Sequence, residues 1–308
     1  MNSQVDSSVH APDSTGGIAG EVAFPLDSGV VVKLPHHHHT NSYHHVAFKE
    51  PLLRAIANHL IVNGVVPRNS GIIDLGSWIG DNALPWAMSR PGIVYAIDPS
   101  EENIDFIRGM IALNNVKNIV TIQSAISDGQ ELLGASGDPS HCCFHAVDEN
   151  SDNSNLSLVT SSTSLDSLHQ EGVIGEVGFM HLDVEGYEMK VLLGARQMIE
   201  KYKPVVMFES HVLSQPTAPM INFLEDRGYR IYMINESHPG ANPDCRNFVA
   251  FHGDNNRISS IVRSIFEAIN PVEVHWYHPA YESLQSLIPA ELFLVGESGA
   301  FLSSPIFA

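Results

Sequence analysis

Two rhythms of apolar positions take turns along this chain. Short apolar runs of strand length lie at 71–75, 92–98, 118–125, 177–184, 204–210, 229–235 and 246–252. Between them run segments whose apolar residues recur at helical spacing. In "KEPLLRAIANHLIVNG", Leu52, Leu53, Ile56 and Leu60 share one face, Pro51 suits the first helical position and Gly64 suits the stop. A helix is expected over 82–89, with Pro85 in its first turn, where a missing N–H does little harm. Another opens at Ser100, with Glu101 and Glu102 in its first turn and Ile104, Ile107 and Ile111 as its buried stripe. A third covers 186–201, with Val191, Leu192, Ala195, Met198 and Ile199 on one face, and a fourth covers 219–228, closed by Gly228. Strands alternating with helices predict an α/β fold built on a doubly wound, mostly parallel sheet. The last two strands are joined by a turn-rich stretch, which predicts an antiparallel hairpin at one edge.

The rhythm also divides the chain. Residues 1–45 are rich in Ser, Gly, Pro and His, with little periodicity apart from "GVVVKLP", and read as a flexible arm. Residues 46–255 form the main domain, interrupted at 126–165, where "DENSDNSNLSLVTSS" predicts loops and a short hairpin. Residues 256–308 form an extension containing a helical pattern, "RISSIVRSIFEAI", and apolar pieces with no legible role. The arm holds six histidines in "HHHHTNSYHH", an interrupted and internal tract unlike an expression tag. No neighbouring Cys or acid completes a ligand set, so a specific metal site is not expected there.

Composition narrows the function. The 308 residues are 44% apolar, ample for a core. Sixteen basic and 35 acidic residues give a net charge of −19, which argues against a nucleic-acid partner. Cys142, Cys143 and Cys245 make neither a disulfide framework nor a CxxC metal site, as expected in a reducing compartment. No run approaches the roughly 18 apolar residues of a membrane span, and the first residues lack the basic and apolar parts of a signal peptide. A cytoplasmic protein without a membrane partner is expected.

The candidate chemistry begins at "IIDLGSWIGDNAL", residues 72–84. In a doubly wound sheet, ligands bind beyond the carboxyl ends of the strands. Gly76 lets the chain turn tightly, and Gly80 lets the helix start pass close to a ligand. Asp74 and Asp81 make the turn acidic, which disfavours a phosphate cradle and suits an ammonium group. The next strand ends in Asp98, 24 residues beyond Asp74, where a carboxylate can accept the hydroxyl hydrogens of a ribose. A ribose with an amine-bearing tail points to S-adenosyl-L-methionine. "GSWIG" does not fit the GxGxxG of a nicotinamide enzyme. A second cluster follows. Asp183 ends the fourth strand, Glu185 and Gly186 start its turn, and Glu209 and His211 end the fifth strand.

The segments "IIDLGSWIGDNAL", "VYAIDPSEENIDFI", "TSLDSL", "HLDVEGYEMKVLLGA" and "KPVVMFES" occur in that order and resemble the FkbM-type methyltransferases, a class I S-adenosylmethionine-dependent family with a Rossmann-like sheet. "RNFVAFH" is similar to that family's closing strand, so the likeness covers residues 71–252. The resemblance implies methylation of a hydroxyl on a sugar or other small metabolite. It implies that Asp74, Gly76, Ser77, Gly80 and Asp81 surround the methionine part of the cofactor and that Asp98 holds the ribose. It places Ser124 and Ala125 beside the adenine, and Asp183 and Glu185 next to the transferring methyl. Two positions depart from the family pattern. Ser77 and Trp78 stand where a small residue and Asn are common, and His181 stands where Lys usually precedes the acidic motif.

The implied reaction is in-line attack of a substrate oxygen on the sulfonium methyl, with orientation contributing up to about 7–11 kcal/mol. The hydroxyl needs a base, for which Asp183 is the first candidate and His211 and Glu185 are rivals. Alternatively, Asp183, Glu185 and Glu209 hold a hard divalent cation that lowers the hydroxyl pKa. A nicotinamide-dependent oxidoreductase on a similar sheet, or a non-catalytic binding module, would share much of this pattern.

Overall fold

The strand rhythm becomes a nine-stranded sheet in the computed structural model, which describes residues 18–23, 29–46, 50–136, 144–147, 154–211, 217–235, 245–268, 291–295 and 301–302. The chain begins with β1 (Ile18–Ala23), β2 (Val31–Pro35), α1 (His39–Val46) and α2 (Pro51–Val62). The alternating part follows: β3 (Gly71–Leu75), α3 (Ala83–Ser89), β4 (Val94–Asp98), α4 (Glu101–Leu113) and β5 (Ile119–Gln123). A smaller sheet contains β6 (Ala125–Ile126), β7 (Leu132–Ala135), β8 (Phe144–Ala146) and β9 (Leu158–Thr163). Then come α5 (Leu165–Gln170), β10 (Val177–Leu182), α6 (Glu188–Gly194), α7 (Arg196–Tyr202), β11 (Val205–His211), α8 (Ala218–Glu225), β12 (Tyr229–Asn235) and β13 (Cys245–His252). The last elements are α9 (Asn255–Ala268), β14 (Glu291–Val295) and β15 (Phe301–Leu302).

The large sheet runs β15-β14-β12-β13-β11-β10-β3-β4-β5. From β5 to β11 the pairings are parallel; from β11 outward they are antiparallel. The expected edge hairpin is present, with β13 inserted between β11 and β12. β14 and β15 extend this antiparallel half, a role that the sequence of the C-terminal extension did not reveal.

Period-two side chains sort the sheet into two faces. Ile72, Ala96, Phe179, Met207 and Val249 join one buried cluster with residues of α2, α3, α4 and α9. Ile73, Ile97, Met180, Phe208 and Phe248 join the other, with residues of α5, α6, α7 and α8. By the same alternation Asp74, Asp98, His181 and Glu209 project on the α2 side. Every candidate acid in a strand therefore faces the same helical layer.

Three expectations need correction. Over its described residues the arm is folded: β1 and β2 form an antiparallel hairpin, and Val22, Val32, Leu34 and Tyr43 are buried. "GVVVKLP" alternates, with Val31 outward and Val32 and Leu34 inward. Asn114 stands in for a third strand by accepting from Lys33 N–H at 2.7 Å and donating to Lys33 C=O at 2.9 Å. Within 126–165, the described residues make a sheet of order β6-β9-β7-β8 in place of loops and one hairpin; residues 148–153 lie outside the described residues. The helix expected over 186–201 is two, because the backbone leaves helical geometry at Ala195 (φ −108, ψ 10). Its apolar face, from Val191 to Ile199, stays buried across the break.

Candidate active site

Gly76 follows β3 in the left-handed region (φ 71), and a Cβ there would lie 1.7 Å from the Asp183 carbonyl oxygen. The residue is glycine because the chain leaving β10 passes against it at Asp183, so the turn and the second acidic cluster are in van der Waals contact. Asp183 N–H donates to Leu75 C=O at 3.1 Å, continuing the parallel ladder into the loop. Ser77 is a strut. Its hydroxyl donates to Asp74 C=O at 2.6 Å and accepts from Ile97 N–H at 2.9 Å, tying the ends of β3 and β4 together. Gly80 (φ 74) abuts the Ile107 side chain of α4, 3.1 Å from a would-be Cβ.

The two acids of the turn are neutralised differently. Asp81 forms a buried ion pair with Arg54 of α2, which also donates to its carbonyl at 2.8 Å. Asp74 is 1% exposed, and its Oδ1 meets His181 Nδ1 at 2.8 Å. The register places the two opposite one another on β3 and β10. The ring of Trp86 stands edge-on to His181, with centroids 5.6 Å apart. Burial raises the Asp74 pKa, and contact with Asp74 raises that of His181 despite burial. Asp74 Oδ2 is buried with no hydrogen-bond partner among the described residues. An unmatched buried carboxylate oxygen fits a cationic donor from a ligand.

Asp98 lies beside this turn. One of its oxygens accepts from Trp78 N–H at 2.9 Å; the other accepts from Ser100 N–H at 2.9 Å and Asn103 Nδ2 at 3.0 Å. Burial raises its pKa to about 6, against the pull of these donors. A carboxylate offers about four acceptor sites, so one remains for a ligand hydroxyl. Ser124 N–H donates to Asp98 C=O at 3.1 Å, which brings Ser124 and the buried Ala125 to the same strand end. Trp78 has φ 43, and its ring packs against the α2-side cluster. Asn tolerates that left-handed region far better than Trp, which accounts for Asn in related turns.

The second cluster is built by register. Leu182 pairs with Phe208, so one step on Asp183 comes opposite Glu209. Across β11, Glu209 pairs with Asn247 and His211 with Cys245. The Asp183 and Glu209 carboxyls share a hydrogen bond; burial and Glu209, followed by Glu50 and Glu185, push the Asp183 pKa well up. His211 Nε2 is 3.6 Å from Glu185 and 4.0 Å from Glu209. Ligand atoms of Glu185, Glu209 and His211 lie within 4.8 Å of one another. The triad expected for a cation was Asp183, Glu185 and Glu209; His211 takes the place of Asp183, whose carboxyl is turned onto Glu209.

Several participants lie outside the candidates that the sequence offers. Cys245 Sγ donates to Glu209, and burial with that contact raises the thiol pKa. Glu50, in left-handed backbone (φ 48) before α2, accepts from Asn247 Nδ2 at 2.7 Å. Glu188 is buried, and its carboxylate accepts from Val184 and Gly186 N–H at 3.1 Å, bracing the turn in which Glu185 has φ 52. That last role was foreshadowed by "VEGYE", an acid two residues beyond a glycine turn.

A profile of the Methyltransferase FkbM domain matches residues 74–231, just over half of the chain. Among solved structures, the chain is similar to Methyltransferase FkbM from Methylobacillus flagellatus KT, at 15% identity over 60% of this chain and 44% of that one, with a TM-score of 0.43. It is also similar to the ribosomal protein L11 methylase of Lactobacillus delbrueckii subsp. bulgaricus (12% identity, 67% of this chain, 81% of that one, TM-score 0.39). A third likeness is to a SAM dependent methyltransferase from Aquifex aeolicus (13% identity, 63% and 93%, TM-score 0.35). No curated protein matches.

Proposed function

The chain belongs to the FkbM methyltransferase family, and on that premise we propose that it methylates a hydroxyl oxygen of a sugar or another small metabolite with S-adenosylmethionine as donor. The observation that carries this reading is the contact between the glycine turn and the acidic cluster, fixed by Gly76 against the Asp183 carbonyl. It sets a ligand-holding turn beside a proton-accepting group.

When bound, S-adenosylmethionine contributes an electrophilic sulfonium methyl. In this reading Asp74 Oδ2 accepts from the ammonium of its amino-acid tail, Asp98 accepts from one ribose hydroxyl, and Ser124 and Ala125 flank the base. The substrate hydroxyl loses its proton to the Asp183–Glu209 pair. Two crowded carboxylates take up one shared proton more readily than an isolated carboxylate does, and a base is most effective when its pKa approaches the working pH. Glu185 and His211 orient the hydroxyl from the solvent side. A net charge of −19 favours a neutral or cationic substrate over a phosphorylated one.

The proximity of Glu185, Glu209 and His211 supports a second route, in which a divalent cation on these three lowers the hydroxyl pKa. The test is a titration with S-adenosylhomocysteine and NAD, followed by a screen of sugars and small alcohols for a one-methyl mass gain. Binding of S-adenosylhomocysteine with turnover supports the reading, and binding of neither ligand sinks it. Loss of turnover on adding chelator selects the cation route; unchanged turnover selects the carboxyl pair.

A further inference from the structure

The fold supplies what the histidine tract lacks in sequence. Glu102, in the first turn of α4, brings its carboxylate to 2.7 Å from His38 Nε2 and 3.6 Å from His39 Nε2. The rings of His37, His38 and His39 are clustered, with centroids 4.1 Å apart for His37–His38 and His38–His39 and 5.0 Å for His37–His39. One ligand nitrogen from each lies within 4.8 Å of the others. We propose that His37, His38, His39 and Glu102 form a binding site for a divalent transition-metal ion, with zinc as the matching ion.

Three imidazoles and one carboxylate oxygen make a closed four-coordinate set of the kind zinc prefers. Tetrahedral ligands at about 2.0–2.1 Å from zinc lie roughly 3.4 Å apart, so the three imidazole nitrogens would close up by about 1.5 Å or less, while Glu102, already 2.7 Å from His38 and 3.6 Å from His39, would turn to the same point. The segment is held in place, unlike a floppy tag. Thr40 Oγ1 donates to Pro35 C=O at 2.6 Å, and Thr40 N–H donates to His37 C=O at 3.1 Å. Phe106 walls the site, with its ring centroid 4.8 Å from that of His37 and 5.2 Å from that of His39. Ligation by His37 gives up the long 3.2 Å contact that its Nδ1 accepts from His39 N–H: at Nδ1 the ion takes that lone pair, and at Nε2 the neutral ring changes tautomer. The ion would fasten the β2–α1 junction to the helix that starts just after Asp98.

The test is a zinc titration of the metal-stripped full chain against a chromophoric competitor. The side chains of His38 and Glu102 are 64% and 48% exposed, so their variants should fold, which circular dichroism checks. A tight zinc event is expected that weakens by about 10-fold or more in Glu102→Gln and about 100-fold in His38→Ala, and that persists in His211→Ala. Glu102→Gln leaves every histidine in place, so unchanged affinity there would mean tag-like binding and overturn the proposal. Loss of the event in His211→Ala, or no binding tighter than about 10 μM by the wild type, would overturn it as well.

Discussion

Two acidic clusters sit side by side at one edge of the sheet and on one face of it, yet their electrostatics are opposite. In the glycine turn each acid has donors: Arg54 for Asp81, His181 for Asp74, and three N–H groups for Asp98. At the ends of β10 and β11 the groups pressing on Asp183 are other acids, Glu209, Glu50 and Glu185. The first arrangement gives its carboxylates fixed ion-pair or hydrogen-bond partners. In the second, burial and the neighbouring acids favour the protonated form of Asp183. Acid count alone does not separate a scaffold from a reacting group; the partners do.

The sharpest way to break this contrast is Arg54→Met. It leaves Asp81 buried without its cation and should cost about 3–5 kcal/mol of stability, read by denaturant unfolding, with much of the loss recovered in Arg54→Met/Asp81→Asn. Asp183→Asn should behave the other way. It removes an acid that burial and its neighbours disfavour as an anion and keeps a donor toward Glu209, so stability should hold or rise, while methyl transfer falls by about 10²–10⁴-fold. If Asp183→Asn destabilises the fold as much as Arg54→Met does, the two clusters are alike after all.

A pH series adds a finer distinction. On the proposed reading the carboxylate form of Asp98 accepts a ribose hydroxyl, so affinity for S-adenosylhomocysteine should fall as pH drops through about 6, and Asp98→Asn should remove the inflection. The stability sign is the reverse. From the ordinary carboxylate range up to about 6 the folded state keeps a proton that the unfolded chain has released, so this group's contribution to stability declines as pH rises through that window. The smallest effect concerns backbone strain. Lys203 (φ 51) caps α7, and Lys203→Gly should stabilise by about 0.5–1 kcal/mol, left-handed strain less chain entropy, without touching turnover. Glu185→Gly relieves a similar φ of 52 but should cost activity.

Much of the sheet was legible because its apolar runs alternate with helical stripes, and Asp74, Asp98, Asp183 and Glu209 follow from where those runs end. The partners were not legible. Arg54 and Glu50 come from the segment before the first parallel strand, and Cys245 and Asn247 from a strand that reaches the site only because β13 inserts beside β11. The strain at Trp78 and Glu185 has no local signature, since neither residue type favours φ > 0. The pairing of β1 with β2 was hidden by polar composition around a short alternating run, and Glu102 is joined to the histidine tract only by tertiary packing.

Calorimetric titration of S-adenosylhomocysteine into the wild-type chain and Asp183→Asn separates the binding turn from the acidic rim. One site with nearly equal affinity in both is expected, with turnover lower by about 10²–10⁴-fold in Asp183→Asn. No binding to the wild type, or binding that disappears in Asp183→Asn, would contradict that expectation.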